Sequence, residues 1–109
     1  MADYGIDETR NGGNIAVRPG DRIILRLSEV PTTGFRWRIE DIGEDAVALE
    51  REDFQLAEAS AVGGGGIKMF FFRAVRPGSS RLRLARSREW DRSRVDVPLF
   101  DLTVEVQAE

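Results

Sequence analysis

The chain has 109 residues, a net charge of −3, and 41% hydrophobic and 32% charged side chains, a composition typical of a single globular domain. It contains no cysteine, which excludes disulfides, thiol nucleophiles and thiolate metal sites, and no histidine, the usual general base and commonest metal ligand. Lys68 is the one lysine among 16 basic residues and the sole candidate amine. The sequence therefore favours binding over catalysis and predicts no enzyme activity, no metal and no cofactor.

The N-terminal residues carry little pattern. MADYGIDETR lacks a hydrophobic signal core, which indicates a cytoplasmic protein, whereas a signal peptide already removed would indicate a periplasmic or secreted one. No apolar run approaches the roughly 20 residues that a membrane helix needs, so we expect no membrane contact. We expect residues 1–13 to be a loosely ordered segment of a single domain that spans 1–109.

From residue 14 onwards, apolar and polar residues alternate as in half-buried antiparallel strands. In RIILRLS, Ile23, Leu25 and Leu27 share one face, and in RLRLAR, Leu82 and Leu84 alternate with arginines. The alternation and turn signals predict seven or so strands in a β-sandwich. Their approximate bounds are 14–18, 22–28, 35–40, 46–57 (broken, or with a helical turn), 67–75, 80–86 and 95–107.

Three further segments show how individual strands are expected to face the core. In FRWRIE, Trp37 points with its apolar neighbours into the predicted core, and IKMFFFRAV is apolar on both faces, which predicts a central strand. Near Pro98–Leu99 the apolar parity changes, which a bulge would reconcile. The residues predicted to form the core are Leu25, Trp37, Phe70 or Phe72, Leu82, Leu84 and Leu102.

If successive strands run up and down, the connections fall into two groups. The short Pro-Gly turns RPGD and RPGSS lie at one end of the sandwich. The other end collects SEVPTTGF, SAVGGGGI and RSREWDRS, which are longer than closure requires. Taken singly, the glycines are explained by a slack linker, and Trp90 equally well by a core or a binding role. Together at one pole, the three segments favour a binding surface.

A nucleic-acid interface is the weaker interpretation. RLRLARSREWDRSR holds six arginines and one tryptophan, but it also holds Glu89 and Asp91, and the chain is acidic overall. A phosphate-binding footprint normally makes a domain basic. Strand alternation already explains Arg81 and Arg83 as a solvated face, so we expect no nucleic-acid partner.

The order of the three segments resembles that of the chagasin-type inhibitors of papain-like cysteine proteases. VPTTGFRW (30–37) is similar to the family's first loop, VGGGGIKMFFF (62–72) to its glycine-rich loop, and SREWD (87–91), in part, to its third. The resemblance runs from about Ile15 to Val106. It implies an immunoglobulin-like antiparallel β-sandwich of about seven to eight strands without disulfides.

The resemblance also implies a function and a set of site residues. The protein would be a monomer that inhibits papain-like cysteine proteases reversibly and competitively by occluding the cleft with loops 30–35, 62–67 and 87–91. A non-inhibitory protein- or carbohydrate-binding module that uses the same loops is the alternative. The implied protease-binding residues are Pro31, Thr32, Thr33, Gly34, Phe35, Gly63, Gly64, Gly65, Gly66, Arg88 and Trp90.

Two positions depart from the family pattern. Val30 stands where the family usually has asparagine, whose side chain can hydrogen-bond the backbone of its own loop. Glu89 replaces the usual proline before Trp90, so the fixed φ of proline is lost. Both changes predict weakened or retargeted inhibition on an unchanged fold.

Overall fold

The described residues form eight strands and one short 3₁₀ helix. The computed structural model describes residues 2–29, 35–43, 46–56, 65–88 and 99–108. The strands are β1 (Asp3–Ile6), β2 (Gly13–Val17), β3 (Arg22–Glu29), β4 (Phe35–Asp41), β5 (Val47–Leu56), β6 (Gly66–Ala74), β7 (Gly78–Arg88) and β8 (Leu99–Val106). The 3₁₀ helix η1 (Glu8–Arg10) lies between β1 and β2.

The strands form two four-stranded sheets that face each other. The first sheet has the order β1-β3-β6-β5 and the second the order β2-β8-β7-β4. All pairs are antiparallel except two at the sheet edges, where β1 runs parallel to β3 and β2 parallel to β8. The all-β sandwich predicted from the sequence is confirmed, with eight strands.

The core lies between the sheets and is built by strand alternation. In β3, Ile23, Leu25 and Leu27 point inward, and in β8 the even-numbered residues from Phe100 to Val106 do the same. Every residue predicted for the core is buried. The largest fully buried side chains are Phe70, Phe72, Phe100, Ile23, Leu25, Leu27, Leu82, Leu84, Leu102, Val17 and Val104.

The central position predicted for IKMFFFRAV is confirmed, because β6 pairs with β3 on one side and β5 on the other. Phe70 and Phe72 face the core, whereas Phe71 lies on the outer face and is still only 9% exposed. The guanidinium of Arg51 lies 4.0 Å from the centroid of the Phe71 ring. An arginine thus shields an aromatic ring that alternation alone would leave in water.

Some strand assignments differ from the sequence prediction. The broken strand expected over 46–57 is one strand, β5, with a register shift between Leu49 and Arg51. Neither strand β1 nor the 3₁₀ helix η1 was predicted in the segment 1–13, which was expected to be loosely ordered. A four-residue edge strand that pairs with β3, nearly twenty residues away, leaves no periodic signal. The predicted change of parity involves Pro98, and residues 89–98 lie outside the described part of the chain.

The two Pro-Gly turns meet at one end of the sandwich, as predicted. The backbone N–H of Gly20 donates to the carbonyl of Ala74 over 2.8 Å, and the N–H of Ala74 donates to the carbonyl of Asp21 over 2.9 Å. The buried Asp21 carboxylate accepts hydrogen bonds from the backbone N–H groups of Arg18 and Ala2, both at 2.9 Å. These bonds, that of Arg18 first, lower the pKa of Asp21.

Replacing Asp21 with asparagine is expected to destabilise the protein at neutral pH, because an amide offers one acceptor oxygen where the carboxylate uses two. A lowered folded-state pKa contributes stability that is present above the unfolded pKa of about 3.9 and lost as the pH falls through the folded value. The stability gap between wild type and Asp21→Asn should therefore narrow below about pH 4. Urea unfolding at several pH values measures it, and a gap that stays constant down to pH 2 contradicts the assignment.

Candidate functional site

In the first sheet, three strand ends lie side by side. Glu29, the last residue of β3, pairs with Gly66, the first residue of β6, and Gly66 pairs in turn with Leu56, the last residue of β5. The chain leaves this end of the sheet after Glu29. It leaves the same end again after Leu56 and re-enters the sheet at Gly66. The segments 30–34 and 57–65 therefore attach to the same end of the first sheet.

In the second sheet, the matching ends also lie together. Phe35, which opens β4, pairs with Arg88, which closes β7. Leu99, which opens β8, pairs with Ala85, three residues before the end of β7. The segment 89–98 thus leaves and re-enters the same end of the second sheet at which the segment 30–34 arrives.

The two sheet ends form one pole of the sandwich. Only five residues join Glu29 to Phe35, and a chain spans at most about 3.6 Å per residue. Directly across this junction, the indole Nε1 of Trp37 in β4 donates to the carbonyl of Ser28 in β3 over 2.8 Å. We call this end the loop pole, the end where the segments 30–34, 57–65 and 89–98 are attached.

The described residues include four of the predicted site positions. Phe35 and Arg88 are register partners at the loop pole, Gly65 immediately precedes β6, and Gly66 begins it. Seven predicted site residues lie outside the described part of the chain: Pro31, Thr32, Thr33, Gly34, Gly63, Gly64 and Trp90.

Gly66 occupies a position where no side chain fits. It is buried, and a Cβ atom built on it would lie 2.5 Å from the carbonyl oxygen of Gln55 and 2.5 Å from Cζ of the Phe54 ring. Real Cβ contacts essentially never fall below 3.0 Å. Glycine at this position therefore lets β5 and the Phe54 ring pack directly on the backbone where the glycine-rich segment enters the sheet.

A buried carboxylate at the loop pole was missed by sequence reasoning. Glu29 is only 5% exposed, and its Oε2 accepts a hydrogen bond from the backbone N–H of Trp37 at 3.0 Å. Because β4 is an edge strand, this N–H has no partner strand on that side, and a side chain of the opposite sheet satisfies it. The available signal was parity, since Glu29 continues the inward-facing series that ends in Leu27.

Replacing Glu29 with alanine is expected to cost about 1–3 kcal/mol of folding free energy, because a buried N–H group of Trp37 loses its acceptor. Glu29→Gln keeps an acceptor oxygen and should cost less. Urea unfolding of both variants at pH 7 measures the difference. Equal stability of Glu29→Ala and wild type would show that water satisfies the Trp37 N–H as well as the carboxylate does.

Two described cations near the loop pole lie over aromatic rings of the core. Lys68, the sole amine, pairs with Glu52 at 3.1 Å and lies 5.5 Å from the centroid of the Phe70 ring. The Arg86 guanidinium lies 5.7 Å from the centroid of the Trp37 ring. Among the described residues, no cluster of acidic side chains is arranged to hold a metal ion.

Comparison with known proteins identifies this architecture. The sequence pattern described as chagasin family peptidase inhibitor I42 matches residues 16–104, which include all three segments of the loop pole. The chain belongs to the chagasin family of peptidase inhibitors. Chagasin of Trypanosoma cruzi is 26% identical over 92 residues, which cover 80% of this chain and 83% of chagasin.

Several solved structures share the fold. The cysteine protease inhibitor EhICP2 of Entamoeba histolytica is 21% identical, with a TM-score of 0.88 over 98% of this chain and 97% of EhICP2. Amebosin is 20% identical, with a TM-score of 0.79 over 96% and 98% of the two chains. PbICP-C, solved in complex with falcipain-2, is 14% identical, with a TM-score of 0.61 over 96% of this chain and 89% of PbICP-C.

In the part of this chain that is described, no helix is long and apolar enough to cross a membrane.

Proposed function

We propose that the protein is a reversible, competitive inhibitor of papain-like cysteine proteases that acts as a monomer through the loop pole. The observation that carries this proposal is the convergence of three segment attachments, at Glu29, Gly66 and Arg88, on one end of a chagasin-family sandwich. The structural neighbours include the cysteine protease inhibitor EhICP2 and PbICP-C, which was solved in complex with falcipain-2, and this supports a protease as the partner.

The proposed mechanism assigns a role to each segment. Residues 31–34 sit at the catalytic centre of the protease and block it without presenting a scissile bond. Residues 63–65 lie along the substrate channel, where a chain without side chains approaches the backbone of the cleft as a substrate backbone does, and the buried Gly66 attaches them to β6. Trp90 packs on the leaving-group side with Arg88 beside it. Phe35 closes the first loop at its attachment to β4.

The size of the surface is adequate for this role. Loops 29–35, 60–67 and 87–93 provide 22 residues, and a standard protein interface uses about 20–30 residues per partner. The alternative of a non-inhibitory binding module gains no support from the family match. The interpretation as a nucleic-acid-binding protein loses further support, because Arg81 and Arg83 both pair with Asp101, at 3.3 and 3.1 Å.

Titration of papain with a fluorogenic peptide substrate tests the proposal. The apparent Ki should rise linearly with substrate concentration, and activity should return fully on dilution. The mass of papain should stay unchanged, because the chain has no cysteine to form a mixed disulfide. Trypsin serves as the negative control, since its cleft and nucleophile differ. Absence of papain inhibition, a mass shift, or equal inhibition of trypsin would overturn the proposal.

A further inference from the structure

The segment between β1 and β2 contacts the attachment points of two of the three loops. Glu8, the first residue of η1, accepts two hydrogen bonds on Oε1 from Ser28 in β3, from its backbone N–H at 2.9 Å and from its hydroxyl at 2.7 Å. Ser28 lies two residues before the segment 30–34. Its carbonyl accepts the indole N–H of Trp37, so Glu8 extends the bonds that cross the junction between the sheets.

Three residues later, Asn11 contacts the second sheet. Its Oδ1 accepts from the backbone N–H of Asp101 at 2.9 Å, and its Nδ2 donates to the carbonyl of Leu99 at 3.1 Å. The N–H of Gly12 also donates to the carbonyl of Asp101 at 2.8 Å. Leu99 directly follows the segment 89–98. The side-chain amide thus forms a two-point contact with the start of β8.

A local hydrogen-bond set fixes the spacing of Glu8 and Asn11. Asp7 caps η1, with its Oδ1 accepting from the N–H of Thr9 at 3.0 Å and from the Thr9 hydroxyl at 2.5 Å. The backbone N–H of Asn11 donates to the carbonyl of Glu8 at 3.2 Å and closes the turn. The turn therefore presents one side chain to each sheet at the loop pole. Glu8 and Asn11 line one small cleft together with Trp37, Arg86, Leu99 and Phe100.

We infer that Glu8 and Asn11 form a brace that positions the loops 30–34 and 89–98 for protease binding, with Glu8 holding the first and Asn11 the third. The inference rests on the proposed inhibition. Both side chains are exposed, and a single intramolecular hydrogen bond at the surface contributes little net stability, so their contribution to global stability is small. Their effect is on binding, because they fix the described strand residues from which the two loops depart, and a fixed attachment lowers the ordering cost of association.

Single variants test each contact. Glu8→Ala and Asn11→Ala are each expected to raise the Ki for papain about three- to tenfold, because each loop attachment must then be ordered when the complex forms. Glu8→Gln keeps the acceptor oxygen and should restore most of the affinity, which separates hydrogen bonding from charge. Glu105→Ala matches the charge change of Glu8→Ala on a strand position paired with Ser79, and Asn14→Ala matches Asn11→Ala. Both controls should leave the Ki within about twofold of wild type.

A double-mutant cycle gives a readout that a purely structural role would not move. If Asn11 acts through the segment 89–98, the effect of Asn11→Ala should largely disappear in a Trp90→Ala background, because the anchor it positions is gone. The effect of Glu8→Ala, which acts on the other loop, should persist there. Full additivity of Asn11→Ala with Trp90→Ala would overturn the assignment of Asn11 to the third loop.

Amide hydrogen exchange of the free protein separates the brace from the proposed function. Exchange should accelerate at Ser28 in Glu8→Ala and at Asp101 in Asn11→Ala, with the core amides of Leu25 and Leu82 unchanged. If wild type fails to inhibit papain, the proposed function fails. If wild type inhibits and the alanine variants keep both its Ki and its exchange rates at Ser28 and Asp101, the brace is refuted.

Discussion

Replacing Trp90 with alanine is expected to raise the Ki for papain about thirtyfold or more, the largest loss of any single side chain at the loop pole. Large aromatic side chains near interface centres typically cost about 2 kcal/mol or more when truncated. The melting temperature should hardly change, because the proposal places Trp90 in the contact surface. Inhibition kinetics and thermal unfolding of the same preparation measure both quantities.

The other tryptophan supplies a matched control. Trp37 is 6% exposed, and its indole N–H donates to Ser28. Trp37→Phe should therefore lower the melting temperature through a lost hydrogen bond and lost packing, with a much smaller change in Ki than Trp90→Ala. If Trp90→Ala instead loses several degrees of melting temperature and inhibits like wild type, Trp90 is a core residue and the third loop leaves the proposed site.

Replacing Gly66 with alanine is expected to destabilise the protein by about 2 kcal/mol or more, since an added Cβ meets the carbonyl of Gln55 and the Phe54 ring at 2.5 Å. That corresponds to a fall in melting temperature of roughly 8 °C or more in a domain of this size. Inhibition should weaken as well, because the β5–β6 pairing must separate at the attachment of the glycine-rich segment.

Gly5→Ala is the control for Gly66→Ala within the same sheet. A Cβ at Gly5 meets only Nη1 of Arg26 at 3.0 Å, the far end of a flexible side chain that can move aside. The melting temperature and the Ki should therefore stay near wild type. A melting temperature for Gly66→Ala within about 2 °C of that of Gly5→Ala would show that β5 yields without cost, and the packing role given to Gly66 would be wrong.

Much of the sandwich was predictable from residue patterns. The alternation in β3 and β8 predicted which side chains are buried, and the doubly apolar β6 predicted its central place. Each of these predictions depends on one strand and on the two-residue period of its side chains, so no knowledge of partners was needed. The order of the three loop segments was likewise readable, and it carried the family resemblance that the comparison confirmed.

The contacts of residues at the candidate site could not be predicted from strand periodicity or from motifs. Gly66 was assigned to protease contact on motif grounds, and the structure adds a packing requirement from Phe54, a residue twelve positions away. Glu29 was passed over because a charged residue at the end of an apolar series reads as the end of the strand. Only the position of β4 in the opposite sheet shows that the Glu29 carboxylate lies next to a buried donor, the backbone N–H of Trp37.

The sequence by itself determined most strand positions after residue 13, their inward faces and the absence of cysteine and histidine chemistry, since these are properties of neighbouring residues or of composition. The tertiary structure decided which strand ends share a pole and what Glu29, Glu8 and Asn11 contact. Asn11 bonds Leu99 and Asp101 across 88 and 90 residues of chain. Such pairings follow from how the two sheets stack, and a hydrogen bond between distant residues leaves no period in either local sequence.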